Sequence, residues 1–311
     1  VVVEERSSIP DRVRVACAWV AARASWVKID EAAIPEYAET LSRDATDEVP
    51  APNLLGADRE TRAAYAICLN AINFGSGWWP TIRKRPGLSG YMTMATGLSE
   101  RFRDAGPWTA QDLTAMDAKS IAAVVGQSPG HPLMPQFAAS LRNVGTHLLV
   151  DHGGSFEAVV DAAGESALFL TDLLASWDAF ADTSIYEGML IPFFKRAQLA
   201  VADLERSGVA ELRDLERLTA FADNLVPQVL RVDGILRLDP GLTARIEEGQ
   251  LLQHGSPEEV ELRACAVHAV ELLAAAAPDL TPVEIDAGLW LRGGRPRYKV
   301  VPRPRSRNTG Y

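Results

Sequence analysis

Two charged side chains stand in apolar surroundings. Asp223 is the only charge between Arg217 and Arg231, in the stretch "LTAFADNLVPQVL". Lys195 lies in "GMLIPFFKRAQLAVADLERSG", residues 188–208, where Leu190, Phe193, Phe194, Ala197, Val201 and Leu204 share one face at helical spacing. Ile191, Leu199 and Ala202 carry apolar character round the other side, the mark of a central helix. A buried charge without a partner costs on the order of several kcal/mol. Asp223 is therefore solvated, caps a helix, or serves a site that wants a negative charge. Lys195 snorkels outward, pairs with an acid, or serves a site. A held carboxylate can steady a developing cation, and a held lysine can neutralise an anion or act as an amine nucleophile.

The elements that must position them read as helices. Pro227 has no N–H for the carbonyl of residue 223 and biases Val226 away from helical geometry, so a helix breaks or restarts near 223–227. "SPEEVELRACAVHAVELLAAAAP" opens with Ser256, Pro257 and Glu259, an N-cap, a first-turn proline and a capping-box acid. Val260, Ala264, Val267, Leu272 and Leu273 then recur at helical spacing. "TPVEIDAGLWL" repeats the device with Thr281, Pro282 and Glu284, and "TAQDLTAMDAKSIAAVVG" runs from Thr109 to a helix-ending Gly126. Further helices are expected near 10–24, 31–42, 59–73, 134–149, 155–163, 165–178, 188–206 and 239–248. Alternating strand patterns are scarce. The reading is all-α: one multi-helix domain over 1–311, with 1–57 as a candidate N-terminal subdomain joined by a loop near 50–57.

Composition narrows the partners. The chain has 311 residues, 47% hydrophobic, and a formal net charge of −10, which argues against a protein that grips long nucleic acid through phosphates. No apolar run approaches the roughly 20 residues of a membrane span, and "VVVEERSSIPDR" lacks the pattern of a secretory signal. Three scattered cysteines fit neither a disulfide framework nor a zinc site, so a cytoplasmic setting is expected. The five histidines show no metal-binding spacing. Residues 291–311 hold seven Lys or Arg and no acid. They form either a solvated basic tail or a segment folding back towards an anionic ligand.

"INFGSGWWP", "GGSF", "YEGMLIPFFKRAQ", "LTAFADNLVPQVL", "EVELRAC" and "GLWL", in that order, make the chain resemble the queuosine salvage protein family from about residue 60 onward. The resemblance implies an all-helical fold distantly like the helix-hairpin-helix DNA glycosylases. It implies hydrolysis of the N-glycosidic bond of queuosine 5′-monophosphate, releasing queuine, a 7-deazaguanine base, for reuse in tRNA. No cofactor and no metal are implied. The family's essential aspartate and lysine fall on Asp223 and Lys195. Cleavage of this bond builds positive charge on the sugar. Asp223 could meet it as a fixed charge, a transient nucleophile or an orienter of water. Lys195 could neutralise the phosphate or keep Asp223 ionised.

A flat base is commonly held between aromatic faces. Phe74 and Trp78, with Trp79 beside them, are candidates for that wall, and Ser76 for a donor. Gly75 and Gly77 are read as letting backbone approach the ligand. Tyr186, Phe193 and Trp290 are further wall candidates. Asn224 and Gln228 flank the acid and could bond sugar or base edge, and Glu187 could anchor the amine of queuine. Glu261 and Arg263 are read as structural charges. His152 in "DHGGSF" stands where the family usually has an aromatic. Two other functions compete: a DNA glycosylase or lyase using Lys195, and a non-catalytic protein that sequesters a modified base.

Overall fold

The computed structural model describes residues 7–41 and 57–311. Helix α1 (Ile9–Ala21) is followed by strand β1 (Val27–Ile29), α2 (Ile34–Ala38) and α3 (Arg59–Ala71). Then come α4 (Gly90–Ala105), α5 (Ala110–Thr114), α6 (Ala118–Val125), α7 (Leu133–Asp151), α8 (Phe156–Ala162) and α9 (Ala167–Ala175). A hairpin of β2 (Thr183–Tyr186) and β3 (Met189–Pro192) leads into α10 (Lys195–Arg206). The chain continues through α11 (Leu225–Val232), β4 (Leu236–Leu238), α12 (Pro240–Glu247), α13 (Pro257–Ala276), α14 (Pro282–Gly293) and α15 (Pro296–Lys299). Among the described residues the fold is mainly helical, with two small antiparallel sheets, β1–β4 and β2–β3. The loop expected near 50–57 lies, but for residue 57, outside the described residues.

Caps set the helix starts. Ser8, Asp58, Ser89, Thr109, Asp117, Ser155, Ser166, Asp239, Ser256 and Thr281 each take a first-turn N–H on the side chain. Such a cap is typically worth about 1 kcal/mol. Helix α13 is buried on nearly every side. Val260, Ala264 and Val267 face a large core shared with α1, α3, α7 and α10. Leu262, Ala266, Val270 and Leu273 face a second core shared with α11, α12 and α14. The site lies where these two cores meet.

Four local expectations are corrected. The helix expected from 188 begins only at Lys195, because Glu187 (φ 47°) and Gly188 (φ 79°) make a two-residue left-handed turn. That turn pairs Ser184 with Ile191 and Ile185 with Leu190 across the hairpin. Leu190 consequently faces solvent, 50% exposed, while Ile191 is buried. The helix expected over 109–126 divides at Asp117, whose carboxylate takes the N–H of Ser120 at 2.7 Å and starts α6. Helix α4 was not anticipated. Gly90, Thr93 and Gly97 are weak helix formers, and packing decides: a Cβ on Gly97 would sit 2.5 Å from the Val124 carbonyl oxygen.

The fourth correction concerns the basic C-terminal segment, which is no solvated tail. Ser306 and Tyr311 are buried. The Leu252 N–H donates to the Arg305 carbonyl at 2.8 Å, and the Gly75 N–H donates to the Tyr311 carbonyl at 2.9 Å. Gly77 lets this strap close down, since a Cβ there would lie 2.3 Å from the Ser306 carbonyl oxygen. The close backbone approach at Gly77 is therefore made by the protein's own chain.

Candidate active site

Lys195 is the first residue of α10, and the residue before it, Phe194, is left-handed (φ 46°). The Asp182 carbonyl accepts the N–H of Phe193 and of Phe194 at 3.0 and 3.2 Å. The Asp182 carboxylate accepts the N–H of Lys195 at 3.1 Å. Arg263 reaches from α13 and grips both carboxylate oxygens of Asp182 at 2.9 and 2.7 Å. Its Nε donates to the Ala222 carbonyl at 3.0 Å, and its guanidinium lies 3.9 Å from the centre of the Phe193 ring. One buried arginine thus joins the start of the Lys195 helix to the residue before Asp223. Gln198, on the same helix, fixes the run into Asp223 from the other side by accepting the Thr219 N–H at 2.9 Å.

Asp223 is half-buried, just ahead of α11. Its Oδ1 accepts the N–H groups of Leu225 and Val226 at 2.7 and 2.9 Å. Pro227 occupies the first turn of α11, where its missing N–H has no acceptor to lose. Capping and site readings of Asp223 therefore coexist: Oδ1 caps the helix while the side chain lines a cavity of about 460 Å³. That volume suits a small ligand.

Two further ionisable groups shape the field around it. Burial pushes the Lys195 ammonium down to about 8, against the pull of the neighbouring Asp223 carboxylate. Its Nζ donates to the Asn73 carbonyl at 3.3 Å. Asp286, on α14, also lines the cavity and accepts the Phe221 N–H at 2.9 Å. Burial, reinforced by the charge on Asp223, raises its carboxyl well above the ordinary carboxylate range. The two acids thus share the cavity in unlike settings: Asp223 takes two backbone N–H groups on one oxygen, while the burial of Asp286 favours its protonated form. Asp203, further along α10, is raised by burial and is bonded by Asn70 at 2.8 Å and Arg206 at 2.8 Å. Among the described residues no group of three or more His, Cys, Asp or Glu could hold a metal ion.

The cavity collects Lys195, Asp223, Phe74, Ser76, Asn224 and Trp290 of the residues singled out in the sequence. The Ser76 hydroxyl is buried with no hydrogen-bond partner among the described residues. Phe74 is backed by the buried Arg196 guanidinium, 5.0 Å from its ring centre. Trp290 meets Tyr91 edge-on at 6.1 Å. Trp79 also lines the cavity, against Gly90, where a Cβ would come within 2.7 Å of the indole.

Five candidates lie outside the lining. Tyr186 donates its hydroxyl to Glu261 at 2.9 Å and packs edge-on against Trp19. Glu187 sits at the hairpin turn, 57% exposed, facing Arg23 at 3.9 Å. Gln228 donates to the Val301 carbonyl at 3.1 Å. Trp78 lies under the Arg307 guanidinium at 5.8 Å. Phe193, the remaining wall candidate, is covered by Arg263. The sequence reading did not single out Asp286 or Tyr91, and it held Arg303 and Lys299 only within the basic segment that could fold back towards an anion; all four line the cavity. For Asp286 a signal existed: it stands four residues before Trp290, hence on the same face of one helix.

These features define a class: a mainly helical protein with an acid–lysine site lining a nucleotide-sized cavity. A family model described as "Queuosine salvage protein" matches residues 54–308. The chain belongs to that family. A protein of Sphaerobacter thermophilus is 34% identical over 305 residues, covering 93% of this chain and 94% of the relative. One from Dictyostelium discoideum is 29% identical over 325 residues, covering 96% and 98%. One from Mus musculus is 36% identical over 198 residues, covering 58% and 59%. Each bears the name queuosine 5′-phosphate N-glycosylase/hydrolase.

Proposed function

We propose that this protein is an N-glycosidase that hydrolyses queuosine 5′-monophosphate to queuine and ribose 5-phosphate, with Asp223 as the catalytic carboxylate. The observation that carries the reading is Asp223 itself: a half-buried acid, one oxygen pinned by two backbone N–H groups, lining a cavity of about 460 Å³. The bond from C1′ to the base nitrogen breaks with its electron pair leaving on the base. The sugar becomes cationic, and water adds its oxygen at C1′ and releases one proton, which replaces the proton given to the departing base. A preorganised anion beside that carbon lowers the barrier by about 3–4 kcal/mol. Because Oδ1 is already bonded, the charge is held in place and does not reorganise as the reaction proceeds.

Asp286, whose burial favours the protonated form, is the acid placed to give a proton to the departing base, and Phe74, Phe221 and Trp290 supply flat or apolar wall for the heterocycle. Lys195 balances the Asp223 carboxylate from inside the protein. The net charge of −10 supports a small nucleotide rather than a long nucleic acid as the partner. The described helices include none long and apolar enough to cross a membrane. Three buried free thiols suit a reducing cytoplasm.

The test is incubation of wild type with queuosine 5′-monophosphate, following queuine by mass. Release of queuine supports the reading. Tight queuine binding with no release from nucleotide or nucleoside would make the protein a base carrier instead. A lyase reading has one observation in its favour, the depressed pKa of Lys195, about 8, which frees an amine near neutrality. Borohydride trapping of a protein–sugar adduct would select it.

A further inference from the structure

Five cationic side chains reach the cavity: Arg62, Lys195, Arg206, Lys299 and Arg303. Three are engaged by the protein. Lys195 bonds the Asn73 carbonyl, Arg206 pairs with Asp203 at 2.8 Å, and Arg62 donates to the Ser207 carbonyl at 2.8 Å. Arg303 is different. It is half-buried and has no hydrogen bond or ion pair with any described residue. Burial lowers its pKa against the attraction of Asp223, so water is partly stripped from a cation that the protein leaves unpaired. Lys299 stands exposed at the rim, also without a described partner.

The backbone that carries Arg303 is clamped. Asn224 donates to the Pro304 carbonyl at 3.1 Å, Gln228 to the Val301 carbonyl at 3.1 Å, and Arg231 to the Pro302 carbonyl at 3.4 Å. The Arg305 carbonyl, two residues past Arg303, accepts the Leu252 N–H at 2.8 Å. Pro302 and Pro304 restrict φ on both sides. Every clamp from the 224–231 side comes from α11 or its cap, the segment that Asp223 also caps. Arg303 is therefore held at a set position relative to the Asp223 carboxylate. A long side chain this well anchored, with five unshared N–H donors, matches a doubly charged phosphate.

We propose that Arg303, assisted by Lys299 at the rim, is the phosphate-recognition element, and that it makes the site selective for a nucleoside monophosphate over the free nucleoside. This rests on the N-glycosidase reading above and adds the group that reads the phosphate. Asn224 and Gln228 serve it indirectly by fixing the strap.

The experiment measures kcat/KM for queuosine 5′-monophosphate and for queuosine with wild type, Arg303→Gln and Lys299→Gln. Charged hydrogen bonds are worth about 10- to 100-fold in such comparisons. The ratio of monophosphate to nucleoside should fall by that factor in Arg303→Gln, mainly through KM, and by less in Lys299→Gln. A ratio within about threefold of wild type overturns the proposal, whatever happens to the absolute rates. Arg303→Lys, which keeps charge but loses the planar fork, should fall between. A second readout needs no turnover: ribose 5-phosphate should raise the melting temperature of wild type and leave Arg303→Gln unmoved. Equal rises in both would refute the assignment. Should wild type release queuine from neither substrate, the N-glycosidase reading fails, and this thermal shift still decides whether Arg303 binds phosphate.

Discussion

Replacing Asp223 by asparagine separates its two jobs. The Asp223 Oδ1 accepts N–H groups from Leu225 and Val226 at 2.7 and 2.9 Å, and an amide oxygen can accept the same pair. Asp223→Asn should therefore keep the helix cap, so stability should change by less than the ~1 kcal/mol such a cap contributes. The charge is lost entirely. Removing a preorganised group of this kind costs about 3–4 kcal/mol of barrier, or about 10²–10³-fold in rate. Lys195 loses its largest favourable charge interaction at the same time, which pushes that factor towards its upper end. Asp223→Ala removes cap and charge together, and should lose about 0.5–2 kcal/mol of stability besides the activity. The assay is single-turnover release of queuine from queuosine 5′-monophosphate, read by mass, with urea unfolding of all three proteins. A folded Asp223→Asn that turns over within about tenfold of wild type would refute the reasoning. So would a rate loss that tracks only the fraction unfolded.

Other outcomes follow from neighbouring residues. Lys195 is charged below about 8, so kcat/KM should decline as pH rises through that value, and Lys195→Met should lack this limb. Its folded pKa lies below the ordinary 10.5, so its charge disfavours folding fully below about 8 and ceases to do so above 10.5. Lys195→Met should accordingly melt higher than wild type at pH 7, by a margin that shrinks as pH rises from 8 towards 10.5, which thermal scans across pH would show. Arg263→Gln leaves Asp182 buried without its partner and should lose about 3–5 kcal/mol in urea unfolding, whereas a loss under 1 kcal/mol would mean that the Asp182–Arg263 pair is dispensable. Gly77→Ala drives a methyl into the Ser306 carbonyl. It should destabilise by about 1–3 kcal/mol and raise KM for the monophosphate, while Gly130→Ala, whose Cβ would meet nothing nearer than 3.9 Å, should do neither.

The helices were legible because caps and periodicity are local. Ser256, Thr281, Ser155 and Thr109 start helices where their side chains predict. The β2–β3 hairpin was not legible, since an apolar run of 188–194 fits helix and strand alike, and Glu-Gly is a weaker turn signal than Asn-Gly. Asp223 and Lys195 stood out because charge in an apolar segment is conspicuous in one dimension. Asp286 did not, because its helix carries other polar residues and its one signal was the four-residue spacing to Trp290. Gln228 looked like a ligand for being near Asp223 in sequence, yet it is spent on the strap at Val301. The strap itself depends on contacts to Gly75, Gly77 and Leu252, between 53 and 236 residues away along the chain, and no local pattern announces such pairings.

The most direct test of the central claim is a crystal structure of Asp223→Asn with queuosine 5′-monophosphate bound. The account predicts the nucleotide inside the cavity lined by Phe74, Phe221 and Trp290, with C1′ about 3–3.5 Å from a side-chain atom of residue 223. A nucleotide seated elsewhere, or one whose ribose turns away from residue 223, would contradict it.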